Sequence, residues 1–220
     1  MTLETMWTDI REWATDFDQD VLTPERLTSI INDVIERACD RRNLRIAMDV
    51  GYIVLANGTR HYAGPARLVR PMRVQLFSGP DSWEDLTPAT VLGFVSNAGV
   101  SGDASESDSK YYLWSGDGFD FSPVPTSDGN LASMTNVVGV FGIYRPERLS
   151  ETNPNGTNIF LESASRYVRL AALAEVFGFD FEDTRGAQWD AKAERELATL
   201  HQIATTGANS GGGGRSSWSS

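Results

Sequence analysis

The sequence has little of the side-chain chemistry on which disulfide frameworks and zinc sites depend. It contains one cysteine, Cys39, and two histidines, His61 and His201. A single thiol cannot form an internal disulfide, and Cys39 lies on the apolar face of a predicted helix, which indicates a buried structural thiol. Neither histidine has a Cys, Asp or Glu partner at metal-ligand spacing. We therefore expect folding inside the cell, without zinc.

Long apolar runs and a positive net charge are also missing. No segment approaches the roughly 20 apolar residues that span a bilayer. Glu4 and Asp9 lie where an export signal would be basic, so we expect no membrane association. The formal net charge of -11 disfavours binding of nucleic acid through a basic surface. An acidic lining remains compatible with nucleic acid that slides past without sticking.

No complete catalytic or metal-binding motif is present. Asp16, Asp18 and Asp20 have the opening spacing of a calcium loop, but Val21 stands where the loop needs glycine and Leu27 where it needs a bidentate acid. The same carboxylates could serve as the acid and base of a glycan hydrolase, although acids between two helices usually form a solvated turn. We expect no enzyme, no cofactor and no metal, and keep a carboxylate-dependent glycan hydrolase as an alternative.

Helical periodicity is concentrated at the two ends of the chain. Apolar residues three and four apart predict a helix over residues 3–14 and a second from Thr23-Pro24 to about Arg42. Two more are predicted between residues 158 and about 204, broken at 178–186 and lying antiparallel. We expect these ends to form one bundle. The faces predicted to meet are Leu27, Ile30, Ile31, Val34 and Ile35 on one side and Tyr167, Val168, Ala171 and Ala174 on the other.

The middle of the chain has the period of two that is typical of strands. A strand is predicted from Arg45 to Val54, and Asn57-Gly58 predicts a tight hairpin that pairs it with residues 59–62. Thr87-Pro88 predicts the start of a short helix or turn, and the Gly-, Ser- and Asp-rich residues 97–110 predict a loop. The remaining predicted strands cover residues 70–77, a hairpin of 111–114 with 119–121, and 137–144.

This order of elements predicts an α+β fold. Its core is a helical bundle of N- and C-terminal helices, with an inserted antiparallel β region projecting from it and a flexible C-terminal tail. The tail is rich in glycine and serine and cannot bury enough apolar surface to order itself. The expected divisions are residues 1–44 for the N-terminal helices, 45–146 for the β-rich insertion, 147–206 for the C-terminal helical hairpin and 207–220 for the tail.

Charge is unevenly distributed along the chain. The stretch from residue 41 to residue 73 is basic, whereas the first twenty residues are acidic. In a ring of identical chains, such basic patches could meet acidic patches on a neighbour or on a second ring. A solvated arginine face is the alternative. The candidate contacts are Arg41, Arg42, Arg45, Arg60, Arg67, Arg70 and Arg73 with Asp16, Asp18 and Asp20.

Several segments, taken in order, resemble the head-to-tail adaptor (connector) proteins of short-tailed bacteriophages. After an opening helix come "LTPERLTSIINDVIERACDRRNL" and "GTRHYAGPARLVRPMRVQL", and then the hairpin "YYLW...FDFSPVP". The strand ending "GIYRPERLS" leads to "FLESASRYVRLAALAEVFGFDFEDTRGAQWDAKAERELATL". The resemblance covers most of residues 1–203 and rests on the order of these pieces.

The resemblance implies a structural virion protein of the neck between capsid and tail, assembled in the host cytoplasm. It implies a homododecameric ring that binds the portal protein and a tail or nozzle protein and lets double-stranded DNA pass without sequence-specific binding. A tail-tube or tail-completion ring protein is the alternative. Tails of such adaptors reach into the portal, so the implied portal-binding residues are Gly207, Gly211, Gly212, Gly213, Gly214, Arg215 and Trp218.

Overall fold

The computed structural model describes residues 1–17, 20–42, 44–91, 110–178 and 184–210. The chain divides into two compact units. One, the helical unit, takes Met1–Ala47 and Arg145–Ser220, and the other, the β unit, takes Met48–Tyr144. The second unit is thus an insertion within the sequence of the first.

The described part of the helical unit contains five α-helices. They are α1 (Leu3–Trp13), α2 (Pro24–Arg41), α3 (Ile159–Ser163), α4 (Ser165–Gly178) and α5 (Arg185–Ser210), with a 3₁₀ turn at Arg45–Ala47. None of them combines the length and apolar content needed to cross a membrane. The predicted start of α2 is confirmed, since Thr23 is the N-cap and its Oγ1 accepts the Arg26 N–H at 3.3 Å. Pro24 fills the first turn, where no N–H is needed.

Helices from both ends of the chain pack together, as predicted. The apolar face of α2 is buried along its length, including Leu27, Ile31 and Ala38. Three ion pairs then join helices that are distant in sequence. They are Asp9–Arg169 between α1 and α4 at 3.1 Å, Arg37–Glu175 between α2 and α4 at 2.6 Å, and Arg41–Glu194 between α2 and α5 at 3.0 Å.

Helices α4 and α5 form the predicted antiparallel hairpin. Arg166 near the start of α4 lies 3.5 Å from Glu196, about three turns into α5. At the other end, a Cβ on Gly186 would lie 3.1 Å from the Gly178 nitrogen, so the first turn of α5 approaches the last turn of α4 closely. Glycine at this position permits the contact.

Two helix boundaries differ from the sequence prediction. The helix expected from residue 158 is divided, because Ala164 leaves the helical conformation at φ -134° and caps α3 before α4 begins. Helix α5 continues to Ser210, so the first four residues assigned to the tail are helical. No proline interrupts residues 204–210, and the hydrogen-bond ladder can continue through them. Residues 211–220 of the predicted tail lie outside the described residues.

The segment that returns from the β unit is fastened to α2 by a buried amide. Asn32 donates from Nδ2 to the Leu149 carbonyl at 3.0 Å and accepts the Leu149 N–H at 2.9 Å through Oδ1. The returning segment continues into a loop that contacts the start of α1, where the Leu3 N–H donates to the Gly156 carbonyl at 3.0 Å. Both contacts satisfy backbone groups that would otherwise lack partners.

The β unit is a sandwich of two four-stranded sheets. The first has the order β1-β8-β3-β4 and the second β2-β7-β6-β5. The strands are β1 (Met48–Val54), β2 (His61–Ala63), β3 (Leu68–Gly79), β4 (Ser82–Asp85), β5 (Thr87–Pro88), β6 (Tyr111–Trp114), β7 (Gly118–Ser122) and β8 (Thr135–Tyr144). Side chains of both sheets share one apolar core, among them Ile53, Leu76 and Val140 from the first and Tyr112, Phe119 and Phe121 from the second.

The predicted hairpin of residues 111–114 with 119–121 is confirmed as β6 paired antiparallel with β7. The predicted pairing of residues 45–54 with 59–62 is wrong. Residues Arg45–Ala47 are 3₁₀, β1 pairs with β8, and β2 pairs with β7 in the other sheet. The Asn57-Gly58 turn does form, with Gly58 at φ 72°, but it joins two different sheets. Strand length explains the choice of partner. The seven residues of β1 can pair along their whole length with the ten residues of β8, whereas β2 has three residues.

Thr87-Pro88 also differs from its prediction. These residues form the short strand β5, parallel to β6, instead of opening a helix or turn. Proline is tolerated here because β5 is an edge strand and needs fewer ladder donors. Most of the predicted loop, residues 97–109, lies outside the described residues.

The buried position of Ile31 gives a test of the helical packing. Replacing Ile31 with Ala should lower the free energy of unfolding by about 2–5 kcal/mol, because the cavity left between the helices is only partly refilled. Thermal and denaturant unfolding measure the change. Ser29→Ala, at an exposed position of the same helix, is the matched control and should behave like the parent. Equal stability of all three proteins would contradict the predicted helix faces.

Candidate interaction surfaces

The predicted basic stretch is divided between the two units. Arg41, Arg42 and Arg45 belong to the helical unit, whereas Arg60, Arg67, Arg70 and Arg73 belong to the β unit. The stretch is therefore two groups of arginines, and each has to be considered within its own unit.

Arg41 and Arg42 both face Glu194 of α5. The nitrogen–oxygen distances are 3.0 Å for Arg41 and 4.0 Å for Arg42. All three side chains are well exposed, so each pair is worth about 0–1 kcal/mol. A carboxylate of another molecule could therefore replace Glu194 as the partner of these arginines with little loss of free energy.

Arg73 forms the best-defined charged site of the β unit. Its Nε and Nη2 donate to the two oxygens of Asp85 at 2.7 and 2.8 Å, and Gln75 Nε2 donates to the same carboxylate at 2.9 Å. The pairing of β3 with β4 brings these residues together. The hydrogen bond from Arg73, followed by that from Gln75, lowers the pKa of Asp85. The guanidinium also lies 5.0 Å from the centre of the Trp83 ring.

Arg45 and Arg67 are exposed, and neither side chain makes a hydrogen bond or ion pair within the part of the chain that the structure describes. Arg67 has φ 66° in a turn closed by the Leu68 N–H and the Pro65 carbonyl at 3.2 Å. Glycine is the usual residue at such a position, and other residues there cost about 1–3 kcal/mol. Arg60 and Arg70, in contrast, both have partners.

The two acidic candidates that the structure describes, Asp16 and Asp20, belong to no cluster that could hold a cation. Asp16 pairs with Arg185, whose guanidinium also lies 4.5 Å from the centre of the Phe177 ring. Asp20 also has a partner, and Asp18 lies outside the described residues. Among the described residues, no three His, Cys, Asp or Glu side chains are placed to hold a metal ion. His61 has one carboxylate partner, with its Nδ1 3.2 Å from Asp120.

Sequence reasoning missed the ion pairs that hold the returning segment on α2. Arg145 lies 3.0 Å from Asp40, and Arg148 lies 3.1 Å from Glu36 and 3.6 Å from Asp33. The signal was present as acids spaced three and four apart on the exposed face of α2, opposite two arginines three apart. The predicted buried thiol is confirmed, because Cys39 is fully enclosed beside these pairs and burial raises its pKa to about 12.

Comparison with known protein families matches residues 1–216 to the family described as SU10 adaptor protein. The match runs through both units and through the insertion boundaries at residues 47 and 145. No curated protein matches the chain.

The Arg73–Asp85 pair predicts a pH dependence of stability. Because the pKa of Asp85 is lowered in the folded state, the stability from this pair is present at neutral pH and is lost as the pH falls through that lowered pKa. Arg73→Met should therefore destabilise the protein at pH 7, and parent and variant should converge in acid. Denaturant unfolding across pH measures this. Arg67→Met, which removes an arginine without a described partner, is the control, and a constant gap for Arg73→Met at every pH would contradict the assignment.

Proposed function

Because the chain belongs to the SU10 adaptor protein family, a family of phage head-to-tail adaptors, we propose that it forms a ring below the portal, extends the DNA channel and carries the tail. The protein is a structural component of the bacteriophage virion, placed at the neck. The observation that carries the proposal is the extent of the family match, which includes both units of the chain.

The proposed partners follow from that position. Copies of the chain form a homododecameric ring, the ring binds the portal protein above, and it binds a tail or nozzle protein below. Assembly takes place in the host cytoplasm. Double-stranded DNA passes through the ring without sequence-specific binding, and a net charge of -11 supports this because an acidic protein does not hold the phosphate backbone. The two units act as separate domains in this scheme.

Charge contacts between copies or between rings form the second part of the proposal. Arg45 and Arg67 are the strongest candidates, because neither has to leave a described partner in order to bind a carboxylate of a neighbour. Arg41, Arg42, Arg73 and Asp16 would have to exchange an existing ion pair. Such exchange between exposed pairs contributes to orientation and association rate more than to affinity.

The C-terminal residues form the third part. We propose that Gly207, the glycines at 211–214, Arg215 and Trp218 bind the portal. Glycines allow close approach of the backbone in a narrow groove. Trp218 is the one large apolar residue of this segment, and buried aromatic side chains dominate small interfaces.

Mixing the chain with the portal protein of the same phage tests the assembly. Native mass spectrometry should find adaptor and portal subunits in equal numbers, because each portal subunit offers one equivalent site in a symmetric ring. The portal alone and the adaptor alone are the controls. A stable complex of one adaptor with one portal subunit, without a ring, would count against the proposal.

Truncation after Ser210 tests the role of the C-terminal residues. The melting temperature should equal that of the parent, because α5 is complete at Ser210. Portal binding should fall by a factor of about ten or more, as expected for loss of an aromatic anchor. Trp218→Ala in the full chain is the narrower variant, and Ser217→Ala is its control. Unchanged portal affinity of the truncated chain would remove residues 211–220 from the interface.

A further inference from the structure

The edge strands of the β unit differ in how well they are protected against pairing with another chain. The first sheet ends in β1 and β4, and the second ends in β2 and β5. An edge strand presents unpaired backbone groups, and proteins usually protect it by short length, charge or proline. Strands β2 and β5 have three and two residues, and β5 contains Pro88. Strand β4 has four residues, of which Glu84 and Asp85 are charged.

Strand β1 is the edge strand without this protection. It has seven residues and contains no proline, lysine or arginine. Its pairing with β8 runs from Met48 to Val54 without a bulge. The side chains along it are open to solvent, since Met48 is 48% exposed, Tyr52 46% and Val54 43%. A long, regular strand of this kind is a template to which another strand can add.

The hydrogen bond of Leu55 shows which backbone groups of β1 point away from the sheet. Leu55 follows β1 and donates its N–H to the Asn136 carbonyl at 3.1 Å, which continues the register of β1 with β8. Opposite residues in antiparallel strands alternate between exchanging both hydrogen bonds and exchanging none. The backbone groups of Tyr52 and Val54 therefore point away from β8. Within the part of the chain that the structure describes, their N–H groups have no acceptor.

Asp49 places a negative charge at one end of this edge. Its Oδ1 accepts the N–H of Val50 at 2.8 Å, so the Val50 N–H also lies outside the pairing with β8. The Asp49 carboxylate forms no ion pair with any residue that the structure describes. Because the whole chain has a net charge of -11, a basic residue in a partner would be attracted to this end of the strand.

We propose that β1 is a docking strand for an extended segment of another virion protein, which adds to the first sheet as a fifth strand. The free peptide groups of alternate residues are about 7 Å apart, and an extended polypeptide carries donors and acceptors at this spacing. Added strands gain affinity from main-chain hydrogen bonds and specificity from alternate side chains. The segment should place apolar residues beside Tyr52 and Val54 and a basic residue near Asp49. Such docking goes beyond the proposed function and requires only that the chain is a virion component.

A second copy of this chain is a poor partner for β1. Two β1 edges would present the same surface to each other, so their contact would be isologous and would end at two copies. Two chains with a net charge of -11 also repel each other. A different protein with a basic residue in an extended segment meets neither obstacle.

Residue-resolved hydrogen exchange tests the docking in the full chain, both free and in necks purified from phage particles. The amides of Tyr52 and Val54 should exchange at least tenfold more slowly in the neck, because an added strand accepts their hydrogen bonds. The Ile53 amide, which faces β8, should be slow in both samples. The Trp83 amide is the control for the opposite edge, since the Leu86–Val74 hydrogen bond sets Trp83 to face away from β3. Equal exchange of Tyr52 in the free chain and in the neck would overturn the proposal.

Photo-crosslinking identifies the molecule that supplies the strand. Phage particles carry the chain with a photoreactive phenylalanine analogue in place of Tyr52, and the particles are irradiated. We expect crosslinks from position 52 to one segment of a different virion protein, located by mass spectrometry. The same analogue in place of Trp83 should give at least tenfold fewer crosslinks to that segment. Crosslinks from position 52 to a second copy alone would overturn the proposal.

A proline substitution separates backbone pairing from side-chain contact. Tyr52→Pro removes an N–H that takes no part in the pairing with β8, so the melting temperature should stay close to that of the parent. In necks that contain this variant, the Val54 amide should exchange as fast as in the free chain. Tyr52→Ala keeps the N–H and should keep the Val54 amide slow. A slow Val54 amide in the proline variant would overturn the proposal, and the parent exchange result decides it if that variant does not fold.

The number of copies in the same necks tests the proposed function separately. Quantitative mass spectrometry should find twelve copies of the chain per neck. Another number would count against the proposed homododecameric ring, whereas the exchange rate of the Tyr52 amide in those necks supports or overturns the docking at β1.

Discussion

The buried pairing of Asn32 with the backbone of Leu149 is the contact on which the rest of the structure depends. The chain leaves the helical unit at Ala47 and returns at Arg145, so the unit is complete only when the returning segment binds α2. The entropic cost of closing such a long excursion grows slowly with its length. A few specific contacts are therefore enough to offset this cost. Arg145 and Arg148 add ion pairs to the amide pair on the exposed side of α2.

Local sequence signals were sufficient to predict those elements whose formation depends only on their own residues. The Thr23-Pro24 start of α2, the apolar face of that helix and the β6–β7 hairpin all follow from periodicity and from cap or turn chemistry. The partner of β1 could not be predicted in this way. Asn57-Gly58 specifies a turn but not the sheets of the strands on either side, and the apolar residues of β1 suit β8 as well as a nearer strand. Pairing between distant strands depends on the whole unit.

Charged residues that could contact a partner protein are harder to identify from sequence than core residues. Arginines of the 41–73 stretch look equivalent in the sequence, yet Arg73 has two hydrogen bonds to Asp85 while Arg67 has no described partner. The difference comes from strand register and turn geometry, which composition does not contain. The face of β1 that packs into the core could not be predicted for a similar reason. Val50, Tyr52 and Val54 alternate as in any half-buried strand, and periodicity alone does not tell which face of a strand is covered.

The nested order of the two units has an evolutionary consequence. Entry and exit of the β unit are neighbouring antiparallel strands, with Met48 opposite Ile143, so the two junctions lie about 5 Å apart. A short turn, or a different module with adjacent ends, could join the same two points and leave the helices unchanged. The contacts that close the helical unit, at Asn32 and Leu149, lie outside the exchanged segment. Relatives could thus acquire new inserted modules by recombination at these two points while keeping one helical scaffold.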